Sequence, residues 1–184
     1  MAAFEKLDFT RFDIWAIVAR EGIAVVGPKH RDGCLAWLRK YNYTVHSIDF
    51  LEGISPAVAI MGKLFHWEEQ FGYSLSPQSR NLDALRDGFE FDMNSGQGVV
   101  LELLNTEVAH REDPDWFTGL MSIVHEYSHN QLALGARFFG ILVLADNSSL
   151  IGMSYEQRAI PLTYSTSARH GDPFRDRDAS PPGS

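Results

Sequence analysis

Two aspartates spaced four residues apart are the first candidates for chemistry. Asp83 and Asp87 occur in the stretch RNLDALRDGF at 80–89, which also contains Leu82 and Leu85. On a helix, residues four apart share a face, so both carboxylates project together while the leucines point toward the core. Like charges at that spacing weaken an isolated helix. The pair is therefore consistent with three interpretations: a solvated surface, general acid–base chemistry, or a docking surface for cationic side chains. Because His and Lys are missing from this stretch, acid–base chemistry is disfavoured.

A second constellation is the sequence His125-Glu126-x-x-His129. Histidines four apart on a helix can share a zinc ion, with the intervening glutamate as general base. However, the apolar residues of the surrounding helix recur at a spacing that puts Glu126 and His129 on its solvent side. The nearest downstream acids, Asp146 and Glu156, do not form a recognisable third-ligand motif. A zinc-dependent hydrolase is therefore kept as the alternative function, and the expectation is that the chain binds no metal or other cofactor.

The acidic stretch resembles the signature of the barstar family of ribonuclease inhibitors. Members of that family carry Asn-Leu-Asp-Ala-Leu-x-Asp on their second helix, and this chain reads NLDALRD at 81–87, with Phe71-Gly72 upstream. The order of strands and helices is similar over 43–146. The segment GVVLELL resembles the middle strand of the family, including an acidic residue at Glu102.

This resemblance implies roles for individual residues. In the family, the two signature aspartates enter the basic active site of a ribonuclease, and by position they are Asp83 and Asp87 here. Glu126 matches a supporting acidic contact. Arg86 stands where the family has tryptophan, which partly neutralises the acidic surface. The loop before the signature is longer than in the family, and Tyr73 is the candidate for its aromatic contact.

The function that the resemblance implies is a bacterial immunity protein that blocks a basic toxin enzyme, with no catalysis of its own. A barstar-like interaction domain that no longer binds a toxin is a third possibility. The immunity protein and the interaction domain are both binding modules, whereas the alternative function is a zinc enzyme. Metal analysis of the purified protein would distinguish the zinc enzyme from the two binding modules.

Charge and cysteine usage fit a cytoplasmic binding protein. The 184 residues carry 24 acidic and 16 basic side chains, a formal charge of −8. This charge disfavours direct binding to nucleic acid and suits a basic partner. The single cysteine, Cys34, excludes an internal disulfide and indicates a reducing compartment. The charged N-terminal sequence does not resemble a signal peptide, and no apolar run approaches the ~18 residues of a membrane span.

The elements that position these residues alternate between strand and helix. Apolar or alternating runs predict strands at 23–27, 43–50, 98–105 and 137–146. Helical spacing predicts helices at 9–20, 31–41, 81–89 and 115–134, with a polar loop at 106–114. A further helix is expected to have Ser55 as its N-cap and Pro56 at its first position. In the helix at 81–89, Asn81 is the expected N-cap and Gly88 the expected stop.

This alternation predicts an α/β fold with three layers, in which a mostly parallel sheet of about four strands has helices on both faces. We expect a single domain at 1–162, with an N-terminal α-β-α extension at 1–42 added to the part similar to barstar. The tail at 163–184 lacks aliphatic residues and is expected to be disordered.

Overall fold

The computed structural model describes residues 11–76, 78, 80–93, 97–155 and 158–160. The strands of the main sheet are β1 (Ile23–Val26), β2 (Tyr43–Asp49), β3 (Gly98–Leu104) and β4 (Arg137–Val143). The described α-helices are α1 (Phe12–Ile14), α2 (Arg31–Lys40), α3 (Ile54–Leu64), α4 (Trp67–Phe71), α5 (Leu82–Asp87), α6 (Thr106–Glu112) and α7 (Pro114–Ala133). The shorter elements are a π-helical turn at Trp15–Ala19, a 3-10 turn at Pro28–His30, and an antiparallel ribbon of β5 (Ser154–Tyr155) and β6 (Arg158–Ala159).

All four strands of the main sheet are parallel, in the spatial order β1-β4-β3-β2. The runs that form β1, β3 and β4 are almost wholly buried, which is typical of strands covered on both faces. The predicted α/β class is therefore confirmed, and each of the four predicted strand segments contains an observed strand.

Helices cover both faces of the sheet and so give three layers. Along β3, Val99, Leu101 and Leu103 join one hydrophobic cluster with α3, α5, α6 and α7, whereas Val100 joins a second cluster with α1 and α2. The connections from β2 to β3 and from β3 to β4 cross the first face, and the connection from β1 to β2 returns across the second. Because the chain crosses the sheet in one direction over the first face and in the other direction over the second, all three crossovers have the same hand. This is consistent with the right-handed rule for parallel strands.

A buried carboxylate ties the N-terminal extension to the sheet. Asp13 is fully buried and accepts hydrogen bonds from Arg11 at 3.0 and 2.6 Å and from the Tyr43 hydroxyl at 2.6 Å. Arg137 Nη1 lies 3.6 Å from the same carboxylate. Burial, together with the adjacent negative charge, raises the pKa of Tyr43 and keeps its hydroxyl protonated as a donor. These partners compensate for the desolvation of Asp13.

A second buried carboxylate fixes α2 to the centre of the sheet. Glu102 in β3 is 0% exposed, and Arg31 at the start of α2 donates to its two oxygens from Nε at 2.7 Å and from Nη2 at 2.8 Å. The Ser47 hydroxyl of β2 donates to Glu102 at 2.6 Å. This two-point contact is the strong form of an arginine–carboxylate pair.

Cys34 of α2 lies in the second hydrophobic cluster, on the face of the sheet that α1 and α2 cover. It should be unreactive in the folded protein. Burial, and the nearby Glu102 carboxylate second, raise the pKa of its thiol to about 12. The thiolate that attacks disulfide reagents is therefore scarce at pH 8. We expect an aromatic disulfide reagent to label the native protein far more slowly than the urea-unfolded protein. Labelling of the native protein at the rate of a free thiol would contradict this burial.

The segment 106–114 was expected to be a polar loop, and this prediction is wrong, because α6 occupies Thr106–Glu112. The helix is amphipathic over barely two turns, so its periodicity in the sequence is weak. It is held by tertiary contacts: Ala109 is fully buried, and Glu112 accepts a hydrogen bond from Arg80.

The start of α3 also differs from the expectation. Ser55 was predicted to cap it, but the cap residue is Gly53, with φ +94°, and Ile54 is the first helical residue. The Ile54 N–H donates to Glu112 Oε2 at 2.9 Å. A carboxylate from α6, distant in sequence, thus satisfies an end group that a local side chain was expected to satisfy.

Two other features were not predicted. The N-terminal helix changes to π-helical geometry at Trp15–Ala19, and the β5–β6 ribbon follows β4. The predicted domain limit at 162 and the tail 163–184 lie outside the described residues.

Candidate protein-binding surface

The short helix α5 begins and ends at the residues that the sequence indicated. Asn81 is its N-cap, and the side-chain oxygen accepts from the N–H groups of Asp83 at 3.0 Å and Ala84 at 3.2 Å. Gly88 follows its last turn. A helix of six residues is not stable alone, so its position depends on this cap and on packing.

Replacing Asn81 with alanine tests how far the cap holds α5. Two helix-end N–H groups would lose their acceptor, and we expect the free energy of unfolding to fall by about 1 kcal/mol. Urea denaturation followed by circular dichroism measures this loss. The matched control is Asn130→Ala, at an exposed position of α7. An Asn81→Ala variant no less stable than this control would show that packing alone holds α5.

The leucines of α5 point toward the core, as the sequence predicted, and Leu82 packs on α7. Leu85 is 3% exposed. Leu82 lies so close to Gly119 of α7 that an added Cβ at Gly119 would overlap its side chain. The opposite face of α5 is left to solvent, and Asp83, Arg86 and Asp87 are all exposed there.

The structure brings four of the five predicted binding residues into one region. Arg86 Nη1 donates to Asp83 Oδ1 at 3.3 Å, and Arg86 Nε donates to Glu126 Oε2 of α7 at 3.0 Å. Arg86 and Glu126 are 40 residues apart in the sequence. Asp87 makes no hydrogen bond or ion pair with any described residue. We call Asp83, Arg86, Asp87 and Glu126 the acidic surface.

Tyr73, the fifth predicted residue, lies in an aromatic cluster at the C-terminal end of α5. Its ring centroid is 6.3 Å from that of Trp67 and 6.2 Å from that of Phe71. Gly88, which directly follows Asp87, packs so tightly on Trp67 and Phe71 that a Cβ there would overlap Trp67. Tyr73 is 56% and Phe71 39% exposed. An aromatic surface thus adjoins the acidic surface, and it includes Phe71, for which the sequence indicated no binding role.

The chain that follows α5 is firmly supported. Tyr127 of α7 accepts, at its hydroxyl, the N–H of Phe91 at 3.1 Å, and its ring packs on Phe89, Phe91 and Phe138. Burial raises the pKa of Tyr127. Because α7 also supplies Glu126, the same helix carries one member of the acidic surface and supports the chain that follows the other three.

His125 and His129, the two zinc ligands of the alternative hypothesis, both lie on α7 but in different surroundings. His125 is 8% exposed, and its Nδ1 lies 2.6 Å from the Glu21 carbonyl oxygen, to which it donates. His129 is exposed, and its Nδ1 is 3.2 Å from the carbonyl oxygen of His125. The two ring centroids are 4.3 Å apart. Glu126, the general base of the zinc hypothesis, is paired with Arg86.

A catalytic zinc requires three protein ligands and an open position. Among the described residues, no group of three or more His, Cys, Asp or Glu side chains could hold a metal ion. The geometry of the described residues therefore adds no third ligand to His125 and His129, and the zinc hypothesis stays an untested alternative.

Comparison of the chain with known protein families, with curated proteins and with solved structures finds no match. The resemblance to barstar thus stays a prediction from the sequence. In the part of the chain that the structure describes, no helix has both the length and the apolar character needed to cross a membrane.

Proposed function

We propose that this chain is an inhibitor, of the immunity-protein kind, that binds a basic toxin enzyme and blocks its active site. The single observation that carries this proposal is the acidic surface. Residues from α5 and α7, far apart in sequence, pair two carboxylates with Arg86, and the exposed carboxylate of Asp87 follows on the same helix, beside exposed aromatic rings. Exposed aromatic rings and arginine are residue types enriched in protein-binding surfaces, and the carboxylates give this surface its preference for a basic partner.

The proposed target is a ribonuclease, and its class comes from the resemblance of 81–87 to the barstar signature. A ribonuclease active site is cationic because it binds phosphates, so carboxylates can occupy it in place of the substrate. The formal charge of −8 extends this attraction over the whole molecule and should accelerate association. We place the complex in the cytoplasm of the producing bacterium, where a single free cysteine is in keeping with the reducing conditions.

The test is to co-produce the chain with the toxin encoded beside its gene. The proposal expects a stoichiometric complex on size-exclusion chromatography, loss of RNA cleavage by the toxin, and survival of cells that make both proteins. If the toxin cleaves RNA at an unchanged rate in the presence of excess folded chain, the proposed function is wrong.

A further inference from the structure

Arg86 divides the acidic surface into a paired part and an unpaired part. Its guanidinium donates to Glu126 on one side and to Asp83 on the other, at 3.0 and 3.3 Å. Asp87 is exposed and has no such contact with the described residues. A partner that approaches this surface therefore meets one available carboxylate and two that already accept from an internal cation.

Arg86 also keeps donors available to a partner. A guanidinium has five N–H donors, and the contacts of Arg86 with Glu126 and Asp83 use Nε and Nη1. The side chain is 42% exposed, and Nη2 makes no hydrogen bond within the described part of the chain. An incoming carboxylate or carbonyl oxygen could thus accept from Nη2 without breaking either internal contact.

We propose that Arg86 determines the specificity of the acidic surface. It selects a partner that places a cation against Asp87 and a hydrogen-bond acceptor against Arg86, and it disfavours a uniformly cationic face. This inference rests on the proposed function, since it concerns the partner of the same surface. The physical basis is that a partner cation placed against Arg86 is repelled, and like-charge contacts are an effective means of excluding wrong partners.

Arg86 changes the formal charge of the acidic surface by one unit. Three carboxylates and one guanidinium give the acidic surface a formal charge of −2, and without Arg86 the charge is −3. Removing any exposed arginine changes the total charge of the protein equally. Arg39 is such a residue: it is exposed on α2, which covers the other face of the sheet. Arg39→Ala is therefore the charge-matched control for Arg86→Ala.

The experiment compares two labelled peptides, decalysine and an alternating Lys-Glu decapeptide, by fluorescence anisotropy. It uses an ionic strength of about 10 mM, where screening is weak. We expect Arg86→Ala to tighten decalysine binding about threefold to tenfold and to raise its preference for decalysine over the mixed peptide. Arg39→Ala should change both affinities less than about twofold. Circular dichroism confirms that each variant is folded.

Two results would overturn the inference: equal effects of Arg86→Ala and Arg39→Ala, or an unchanged peptide preference in Arg86→Ala. Inhibition of the toxin that depends on Asp87, together with either result, would refute the specificity role and leave the proposed function standing. A shift in preference confined to Arg86→Ala, with a toxin that the chain does not inhibit, would support the role of Arg86 and refute the proposed function.

Discussion

Replacing Arg31 with methionine should lower the free energy of unfolding by about 3 kcal/mol, the largest stability change that we expect from one surface-accessible residue. Glu102 is fully buried in the middle strand and depends on Arg31 for two hydrogen bonds at 2.7 and 2.8 Å. Without them the buried carboxylate keeps one donor among the described residues, the Ser47 hydroxyl. The Arg31 side chain is 34% exposed, which places the estimate at the lower end for buried pairs.

The double variant Arg31→Met/Glu102→Leu separates the cost of an unpaired charge from lost packing. Removing both partners of a buried ion pair is often neutral for stability, so the double variant should recover most of the loss. Urea unfolding of the wild type, the single variant and the double variant measures this. A double variant as unstable as Arg31→Met would show that the arginine stabilises α2 by packing rather than by neutralising Glu102.

Replacing Asp87 with alanine should weaken binding to the toxin by roughly 2–5 kcal/mol, the largest binding effect that we expect. Asp87 is the carboxylate of the acidic surface without a described internal partner, so its full charge is available to a cationic active site. Truncation removes that attraction and leaves the cations of the partner unpaired in the interface. The variant should fold normally because Asp87 makes no hydrogen bond with the described residues.

The matched control for Asp87→Ala is Asp32→Ala. The Asp32 side chain is 98% exposed on α2, which covers the opposite face of the sheet from α5. Both substitutions change the net charge equally. Calorimetric titration of the toxin with each variant should show a large loss of affinity for Asp87→Ala and a small one for Asp32→Ala. Equal losses would mean that total charge, and not α5, governs binding.

The strands and α5 could be predicted because their signals are local. Buried parallel strands are continuous apolar runs, and these located β1, β3 and β4, whereas the alternating pattern of YTVHSID located β2. For α5, Asn81 and Gly88 are strong end signals, and the predicted limits of the helix were accurate within two residues.

What the sequence could not show depends on contacts between distant segments. The helix α6 was missed because Glu112 acts on Arg80 and on the start of α3, neither of which is near it in the chain. The burial of His125 likewise depends on a distant segment, since its ring contacts the Glu21 carbonyl in the turn before β1. The sequence predicted that Arg86 neutralises part of the acidic surface, but its contact with Glu126 required the packing of α5 on α7.

The measurement that tests the central claim most directly is the steady-state inhibition of the toxin at several RNA substrate concentrations. If the chain occupies the active site through α5, inhibition is competitive. The apparent inhibition constant then rises linearly with substrate concentration, and Asp87→Ala raises it much further at every concentration than Asp32→Ala does. An inhibition constant that is independent of substrate concentration, or equal for the two variants, would contradict the account.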